Sequence, residues 1–298
     1  MKKFAYFPGC SMDSTAVTYK ASLEYVAGRI GLELKEIPDW NCCGSTAAHT
    51  KNEKLAYSLA ARNIAIAEDT YPDLDIVTPC AACYSRLAYA KHAAEDEFTR
   101  QEIERIIKRP FKGKKEILNF LDVFSQEDVM QACKENMVRD LSGLKIACYY
   151  GCLMSRPRKI TKAEDIENPM QMDKIIELTG ATAVEWDFKT ECCGASHQVD
   201  APRQSRPLIE RIFRNAKANG AQAIVTACPL CNMNLDMREK EINEMFSKKY
   251  DIPVFQFTEI LAIGMGAGAK TSGIHQHFWP AFDLINGVLR ANFGKAGK

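Results

Sequence analysis

The most constraining feature of this sequence is a five-cysteine pattern that occurs twice. The first set is Cys10, Cys42, Cys43, Cys80 and Cys83, and the second is Cys152, Cys192, Cys193, Cys228 and Cys231. Each set contains an adjacent pair followed by glycine and ends in a C-x-x-C segment. Adjacent cysteines cannot easily bond to each other, because that disulfide strains the peptide between them. The pairs therefore fit ligands of a soft metal better than they fit disulfides.

The composition narrows the class of protein. The chain has 298 residues with 46% hydrophobic and 26% charged residues and a formal net charge of +1, so neither nucleic acid nor an acidic membrane surface is an expected partner. The apolar run after Met1 is too short for a signal peptide, and no run is long enough to span a membrane, so we expect a cytoplasmic protein without membrane insertion. Twelve cysteines in such a chain favour metal or redox chemistry over disulfides.

The predicted elements alternate between strand and helix, and their order repeats. Strands are predicted at 4–7, 32–37, from 76, 117–120, 144–150, 183–186, 223–227 and 254–257, and helices at 14–30, 52–68, 84–108, 121–133, 169–178, 203–219 and from 258. This alternation predicts layered α/β domains with parallel sheets. We expect a tandem duplication, with a first domain over 1–143, a second over 144–263, and a C-terminal extension over 264–298 that packs on the domains or on a partner.

In both predicted domains the cysteines follow strands. The carboxyl ends of parallel strands form the edge at which open α/β sheets bind ligands, so the five thiols of each set are expected to converge there. Five thiolates exceed the four that saturate a structural zinc ion or a cubane 4Fe–4S cluster. One thiolate of each set would then be spare, bridging or reactive. Structural zinc at the first site remains an open alternative.

The residues also carry a resemblance to a known family. The spacing C-x(31–39)-C-C-G-x(33–35)-C-x-x-C resembles the cysteine-rich CCG domain, and two copies without a ferredoxin motif resemble the B-type subunit of CoB–CoM heterodisulfide reductase. The openings Tyr6-Phe7-Pro8-Gly9-Cys10 and Tyr149-Tyr150-Gly151-Cys152 are typical of that subunit. The resemblance covers about residues 1–260. The segments 11–16 and 40–45 are more similar to relatives from bacteria and non-methanogenic archaea.

The resemblance implies a cofactor and a reaction. Each cysteine set would bind one noncubane 4Fe–4S cluster, and a pseudo-twofold axis would place the two clusters on either side of a disulfide substrate. All ten cysteines would be ligands, and Cys42, Cys43, Cys192 and Cys193 would act in catalysis through the clusters. Splitting a disulfide consumes two electrons and yields two thiolates, which suits a pair of one-electron centres.

The resemblance also implies partners. Electrons would come from a ferredoxin-like C-type subunit, fed by a flavoprotein of the A type that bifurcates electrons, and a hydrogenase or formate dehydrogenase module would extend this anaerobic complex. The substrate would be a small-molecule or protein disulfide. This chain has no nucleotide-binding fingerprint placed after a predicted strand, which is consistent with electrons arriving from another protein.

Two further hypotheses stay open from the residues. His49 and His197 lie five and three residues after the CCG glycines, where an imidazole could protonate a leaving thiolate, although a capping or surface role explains them more simply. The whole chain could also be an electron-relay protein that binds no disulfide. A cavity between the clusters wide enough for two thiol chains would favour catalysis over relay.

Overall fold

The computed structural model describes residues 2–45, 47–198, 200–279 and 281–293. The first half contains β1 (Lys3–Tyr6), α1 (Val17–Ile30), β2 (Glu33–Glu36), α2 (Ala47–Lys51), α3 (Glu53–Thr70), β3 (Ile76–Thr78), α4 (Ala81–Ala93), α5 (Glu97–Ile107), β4 (Ile117–Asn119), α6 (Phe120–Phe124) and α7 (Glu127–Glu135). The second half and the C-terminal segment contain β5 (Lys145–Tyr149), α8 (Arg158–Thr161), α9 (Gln171–Glu177), β6 (Thr182–Ala183), α10 (Pro202–Ala218), β7 (Ala223–Thr226), α11 (Pro229–Asp236), α12 (Glu239–Met245), β8 (Val254–Gln256), α13 (Phe257–Gly264), α14 (Ala269–Ser272) and α15 (Ala281–Phe293).

Each half is built on a parallel sheet of four strands. The orders are β2-β1-β3-β4 and β6-β5-β7-β8, so the second half repeats the topology of the first. All pairs are parallel, with Ala5 opposite Ile76 in one sheet and Ile146 opposite Ala223 in the other. The central strands are buried along nearly their whole length, because helices cover both faces of a parallel sheet. The predicted duplicated α/β fold with parallel sheets is confirmed.

Several predicted elements differ in extent. The helical region predicted at 84–108 is divided into α4 and α5, because Asp96 accepts a hydrogen bond from the Thr99 amide and starts a new helix. The strand predicted at 183–186 pairs over two residues only, in β6. Residues 278–289, for which the sequence allows either a docking segment or a helix, contribute most of α15.

The two halves share contacts and one large core. Helix α1 of the first half packs on α13 of the second, and the buried hydroxyls of Ser22 and Thr258 hydrogen-bond across this junction at 2.7 Å. The Tyr84 hydroxyl of α4 donates to the Thr161 carbonyl of α8 at 2.9 Å. One apolar cluster includes buried side chains from both halves. The domain boundaries given above stay a prediction.

Within the described ranges, no helix has both the length and the apolar character that a membrane crossing requires.

Candidate metal centre

The strand ends place the cysteines, as the sequence predicts. β3 ends at Thr78, and Cys80 caps the amino end of the next helix, α4. In the second half β7 ends at Thr226, and Cys228 caps α11 in the same way. Each C-x-x-C segment therefore lies on the first turn of a helix at the carboxyl edge of its sheet. The positive end of the helix dipole favours thiolate there. Hydrogen bonds to other thiols and burial nevertheless raise the pKa values of Cys80, Cys83 and Cys231, and only the pKa of Cys228 is lowered.

The five cysteines of the first set lie together. Cys42 and Cys43 are hydrogen-bonded to each other, and the Sγ atoms of Cys43 and Cys83 are 3.4 Å apart. Cys83 is hydrogen-bonded in turn to Cys80. Cys10 is close enough to Cys42 for its charge to contribute to the raised pKa of that thiol, after the larger effects of the Cys43 hydrogen bond and burial.

The second set repeats this arrangement with one difference. The Sγ atoms of Cys193 and Cys231 are 3.5 Å apart, and Cys231 is hydrogen-bonded to Cys228, as in the first set. Cys152, however, is hydrogen-bonded directly to Cys192. Cys152 thus interacts more closely with Cys192 than Cys10 does with Cys42.

The two sets meet at one point. Cys80 of the first half lies beside Cys228 of the second, and the interaction between the two thiols raises the pKa of Cys80 and helps to lower that of Cys228. Both thiols are buried, with exposed fractions of 3% and 2%. The contact joins the two C-x-x-C segments across the junction between the halves. Ten thiols therefore form one continuous group rather than two distant ones.

Each adjacent pair is divided between surface and interior. Cys42 and Cys192 are exposed, whereas Cys43 and Cys193 are buried against the C-x-x-C segment of their own half. The buried members are the inner thiols of their sites. The exposed members border the solvent, as Cys10 of the first set also does.

The hydrogen bonds among the thiols shift their pKa values in opposite directions. Hydrogen bonds from Cys42 and Cys83 lower the pKa of the Cys43 thiol, and a hydrogen bond from Cys152 lowers the pKa of Cys192. Hydrogen bonds from Cys231 and Cys80 lower the pKa of Cys228. Each set thus contains thiolate character next to protonated neighbours. Thiolate is the form that binds metal.

The glycine before the first cysteine of each set leaves room for the site. Gly9 has φ +70°, and a Cβ there would lie 2.9 Å from the Sγ atom of Cys83. Gly151 also has φ +70°, and its Cβ would lie 3.2 Å from the Sγ atom of Cys231. A side chain at either position would push into a thiol. In the sequence, these glycines are recognisable only as part of the two openings that resemble the family. Their steric role is visible only in the structure.

The glycines of the two CCG segments have a different task. Gly44 (φ +74°) and Gly194 (φ +75°) both adopt the left-handed conformation. A Cβ on Gly44 would lie 2.7 Å from Cδ1 of Leu59 in α3, and one on Gly194 would lie 3.0 Å from the Ser205 hydroxyl in α10. These glycines let each cysteine pair pack closely on the helix that follows.

The two candidate histidines are not equivalent. His49 is exposed on α2. His197 is also exposed, lies 3.4 Å from Oδ2 of Asp200, and stands near enough to Cys192 for its charge to help lower the pKa of that thiol, after the Cys152 and Gly194 hydrogen bonds. A role in proton transfer stays a prediction for both.

The chemical nature of the donor atoms, which are all thiol sulfurs, suits a soft metal cofactor. Five thiols converge at each site, some with thiolate character, and Gly9 and Gly151 keep the adjoining space clear. In the described part of the chain, no group of three or more His, Cys, Asp and Glu side chains has an arrangement that could hold a single metal ion.

The chain matches a known domain family and is similar to two subunits of redox enzymes. The model of the cysteine-rich CCG domain matches residues 4–88 and 146–236. The chain is 30% identical to the 8-methylmenaquinol:fumarate reductase membrane anchor subunit of Wolinella succinogenes, over 95% of this chain and 99% of the relative. It is 28% identical to the B-type subunit of the ferredoxin:CoB–CoM heterodisulfide reductase of Methanosarcina mazei, over 99% of both chains.

A solved structure shares the fold. A hypothetical protein from Helicobacter pylori superposes with a TM-score of 0.72 at 10% sequence identity. The match covers 93% of this chain and 52% of that one, so this chain spans about half of its length. At this identity the likeness concerns the fold alone.

Proposed function

Because the chain belongs to the CCG cysteine-rich domain family, and because its relatives include components of redox complexes, we propose that it is the disulfide-reducing component of a heterodisulfide-reductase-like complex. The observation that carries the proposal is the single group of ten thiols. Its two halves meet at Cys80 and Cys228, and each half presents one exposed cysteine of its adjacent pair, Cys42 or Cys192. With one exposed cysteine of the pair in each half, such a group can interact with both sulfurs of one disulfide in the same way.

The reaction must balance in electrons and protons. Reduction of R–S–S–R′ takes up two electrons and two protons and releases two thiols. We assign one noncubane 4Fe–4S cluster to each five-cysteine set. When bound, these clusters would supply the electrons singly and offer a soft metal to each sulfur. Electrons would arrive from an iron–sulfur partner protein.

The residues of the chain hold and orient the reacting groups. The inner thiols of Cys43 and Cys193 fix each site to its C-x-x-C helix, and the outer thiols of Cys42 and Cys192 border the solvent from which a substrate approaches. At the second site, we assign to His197, whose charge helps to lower the pKa of Cys192, the transfer of a proton to a released thiolate. The substrate is a disulfide whose two sulfurs reach both sites together.

Anaerobic purification of the native complex tests the proposal. We expect about eight iron atoms per chain, the content of two 4Fe–4S clusters, and release of thiol from a physiological disulfide on reduction. Zinc in place of iron at the first site would turn that site into a structural one. A complex that transfers electrons but releases thiol from no disulfide would contradict the assignment.

A single substitution tests the five-ligand sites. Cys42→Ser is expected to remove the first cluster or its unusual spectrum, because the exposed thiol is the fifth ligand of its set. Ala48→Ser nearby changes no thiol and serves as the control. An unchanged iron content and electron paramagnetic resonance spectrum in Cys42→Ser would rule out this role.

A relay role is the second candidate, and a particular relative favours it. The name of the W. succinogenes relative assigns it to a fumarate reductase, and this name mentions no disulfide. In a relay protein the clusters pass electrons on, and no substrate binds between them. Retained electron transfer without disulfide binding by the purified complex would support this candidate.

A further inference from the structure

In the second half, a phenol hydroxyl joins the strand that leads to Cys152 to the loop that leads to Cys192. Tyr149 is the last residue of β5 and is fully buried, and its hydroxyl donates to the Glu191 carbonyl at 2.6 Å. Glu191 directly precedes Cys192 in the chain. This hydrogen bond therefore connects the two segments whose thiols, Cys152 and Cys192, interact directly.

Lys189 adds a second connection between these segments. Its carbonyl accepts hydrogen bonds from the amides of Tyr150 at 2.8 Å and Gly151 at 3.1 Å, the two residues before Cys152. Its side chain is 3% exposed and lies 2.9 Å from Oδ1 of Asp173 in α9, and the Tyr150 hydroxyl donates to Oδ2 of the same carboxylate at 2.7 Å. Displacement of Lys189 would leave a buried charge unpaired, so the ion pair keeps the loop in place.

The first half has no equivalent of the Tyr149 connection. Phe7 stands where the second half has Tyr149, three residues before the first cysteine of its set, and it carries no hydroxyl. Among the described residues, 7–9 make no hydrogen bond with 38–41. The strand end and the loop of the first site are therefore not tied to each other.

The loop of the first site is attached to a helix instead. The Asn41 amide donates to the side chain of Asn63 in α3 at 2.9 Å, and Asn41 directly precedes Cys42. Helix α3 carries no cysteine of the set. Cys10, which is exposed, thus lies on a segment that can move without its cysteine pair.

Tyr149 also fills space that stays open at the first site. A Cβ on Gly151 would lie 3.2 Å from the Sγ atom of Cys231 and 3.6 Å from the hydroxyl oxygen of Tyr149. A Cβ on Gly9 would lie 2.9 Å from the Sγ atom of Cys83, and in the described part of the chain nothing else but its own neighbours comes within 4 Å. The first site therefore has more room beside its C-x-x-C thiol.

We propose that Tyr149 and Lys189 are positioning residues that hold Cys152 beside Cys192, and that the first site, which lacks this connection, opens before the second. Partners that orient a ligand strengthen its hold on a metal, so the less constrained site exchanges its thiols more readily. Under the proposed function, on which only this consequence rests, the first sulfur of an incoming disulfide enters at the first site.

The order of opening is measured on the native complex, purified anaerobically with its metal bound. The complex is treated with a chelator of ferrous iron and with iodoacetamide, and mass spectrometry follows the alkylation of each cysteine over time. We expect Cys10 and Cys42 to be labelled before Cys152 and Cys192. Cys42 and Cys192 are both exposed, which makes them a matched pair. Equal rates for the two sets, or earlier labelling of the second, would overturn the proposal.

Tyr149→Phe gives the second site the side chain that Phe7 provides at the first. Labelling of Cys152 should accelerate about fivefold, the fold-change that corresponds to one lost buried hydrogen bond, while labelling of Cys10 stays unchanged. Tyr25→Phe is the control, because its hydroxyl donates to a carbonyl at 3.1 Å from α1, a helix without cysteine. A merely structural role would accelerate both sets together, and that result would overturn the positioning role.

The ion pair requires a double variant. Lys189→Met alone leaves Asp173 buried without its partner, whereas Lys189→Met with Asp173→Asn removes both charges. The double variant should also accelerate labelling of Cys152 relative to Cys10. Unchanged labelling in this variant or in Tyr149→Phe would remove the corresponding residue from the positioning role.

A disulfide probe tests the consequence for an incoming sulfur. With 2-hydroxyethyl disulfide in place of iodoacetamide, a cysteine thiolate attacks the probe, forms a mixed disulfide and releases one 2-mercaptoethanol. The mixed disulfide should appear first on Cys10 or Cys42, and its earlier appearance on Cys152 or Cys192 would contradict entry at the first site. Failure of the proposed function has a separate signature, namely absence of thiol release from a physiological disulfide by the unmodified complex.

Discussion

At the scale of single residues, the sites depend on positions that carry no functional group. Gly9 and Gly151 supply space that the second thiol of each C-x-x-C segment occupies. Both also hold a backbone conformation that favours glycine. The position of the thiols therefore depends on the absence of a side chain at these two residues.

Substitution of Gly9 should damage the first site selectively. Gly9→Ala places a Cβ 2.9 Å from the Sγ atom of Cys83 and strains a left-handed residue, so we expect loss of roughly half of the bound iron, the share of one of two sites. Gly28→Ala is the control, because nothing lies within 4 Å of its added Cβ and it stands inside α1. The control should keep its iron and gain about 0.5–1 kcal/mol of stability. Full iron in Gly9→Ala would contradict the steric role.

A buried acid in α12 should make stability depend on pH. Glu239 is fully buried, one of its oxygens has no partner among the described residues, and burial raises its pKa from 4.5 to about 8. Between these values the folded protein binds more protons than the unfolded chain. Stability from this group is therefore present at low pH and is lost as the pH rises from about 4.5 to about 8.

Glu239→Gln tests this dependence. The amide cannot ionise, so the variant should exceed the parent protein in unfolding free energy by roughly 1–3 kcal/mol at pH 8, with a smaller difference at pH 5. Anaerobic urea unfolding at both pH values measures it. Glu244→Gln, on the exposed side of the same helix, should show no such change. A parent protein whose stability is flat across this range would refute the expectation.

At the scale of elements, the duplication extends to details of the helix ends. Asn119 and Gln256 begin α6 and α13 with capping boxes, in which Asp122 and Glu259 are the matching acidic partners. The structure thus gives these two acids the same local role. They differ in surroundings, because only Glu259 contacts His277 of the C-terminal segment.

The contact between α4 and α8 joins the halves near the thiols. Tyr84 follows Cys83, and its hydroxyl donates to the Thr161 carbonyl. Tyr84→Phe should cost about 1 kcal/mol of unfolding free energy, because it removes a buried hydrogen bond. Tyr57→Phe removes an exposed hydrogen bond to Glu53 within one helix and should change stability by less than about 0.5 kcal/mol. Equal effects in anaerobic urea unfolding would count against a special role for Tyr84.

At the scale of the whole molecule, the halves should unfold together. One core cluster contains side chains of both halves, α1 packs on α13, and the Ser22–Thr258 hydrogen bond crosses the junction. Separation would expose this apolar surface to water, which is unfavourable. We therefore expect one cooperative thermal transition by calorimetry under anaerobic conditions. Two well-separated transitions would show that the halves are independent domains.

Most of the fold can be predicted from the sequence, and the reason is physical. Strand and helix periodicities report which face of an element is buried, and a duplicated order leaves few topologies open. Short or capped elements were harder to place, because β6 pairs over only two residues and the cap of Asp96 lies inside a continuous helical pattern. Nothing in the pattern around His277 distinguishes its burial from the exposure of His275.

The sequence by itself determined the two parallel sheets, the thiols at their strand ends and the two five-cysteine sets, because each of these follows from local order along the chain. Only the tertiary structure decided that Cys80 meets Cys228 and that Cys43 and Cys193 are the buried members of their pairs. These features depend on how the two halves pack against each other through residues that are far apart in the chain. No local pattern encodes that packing, because it is set by the shapes of both surfaces at once.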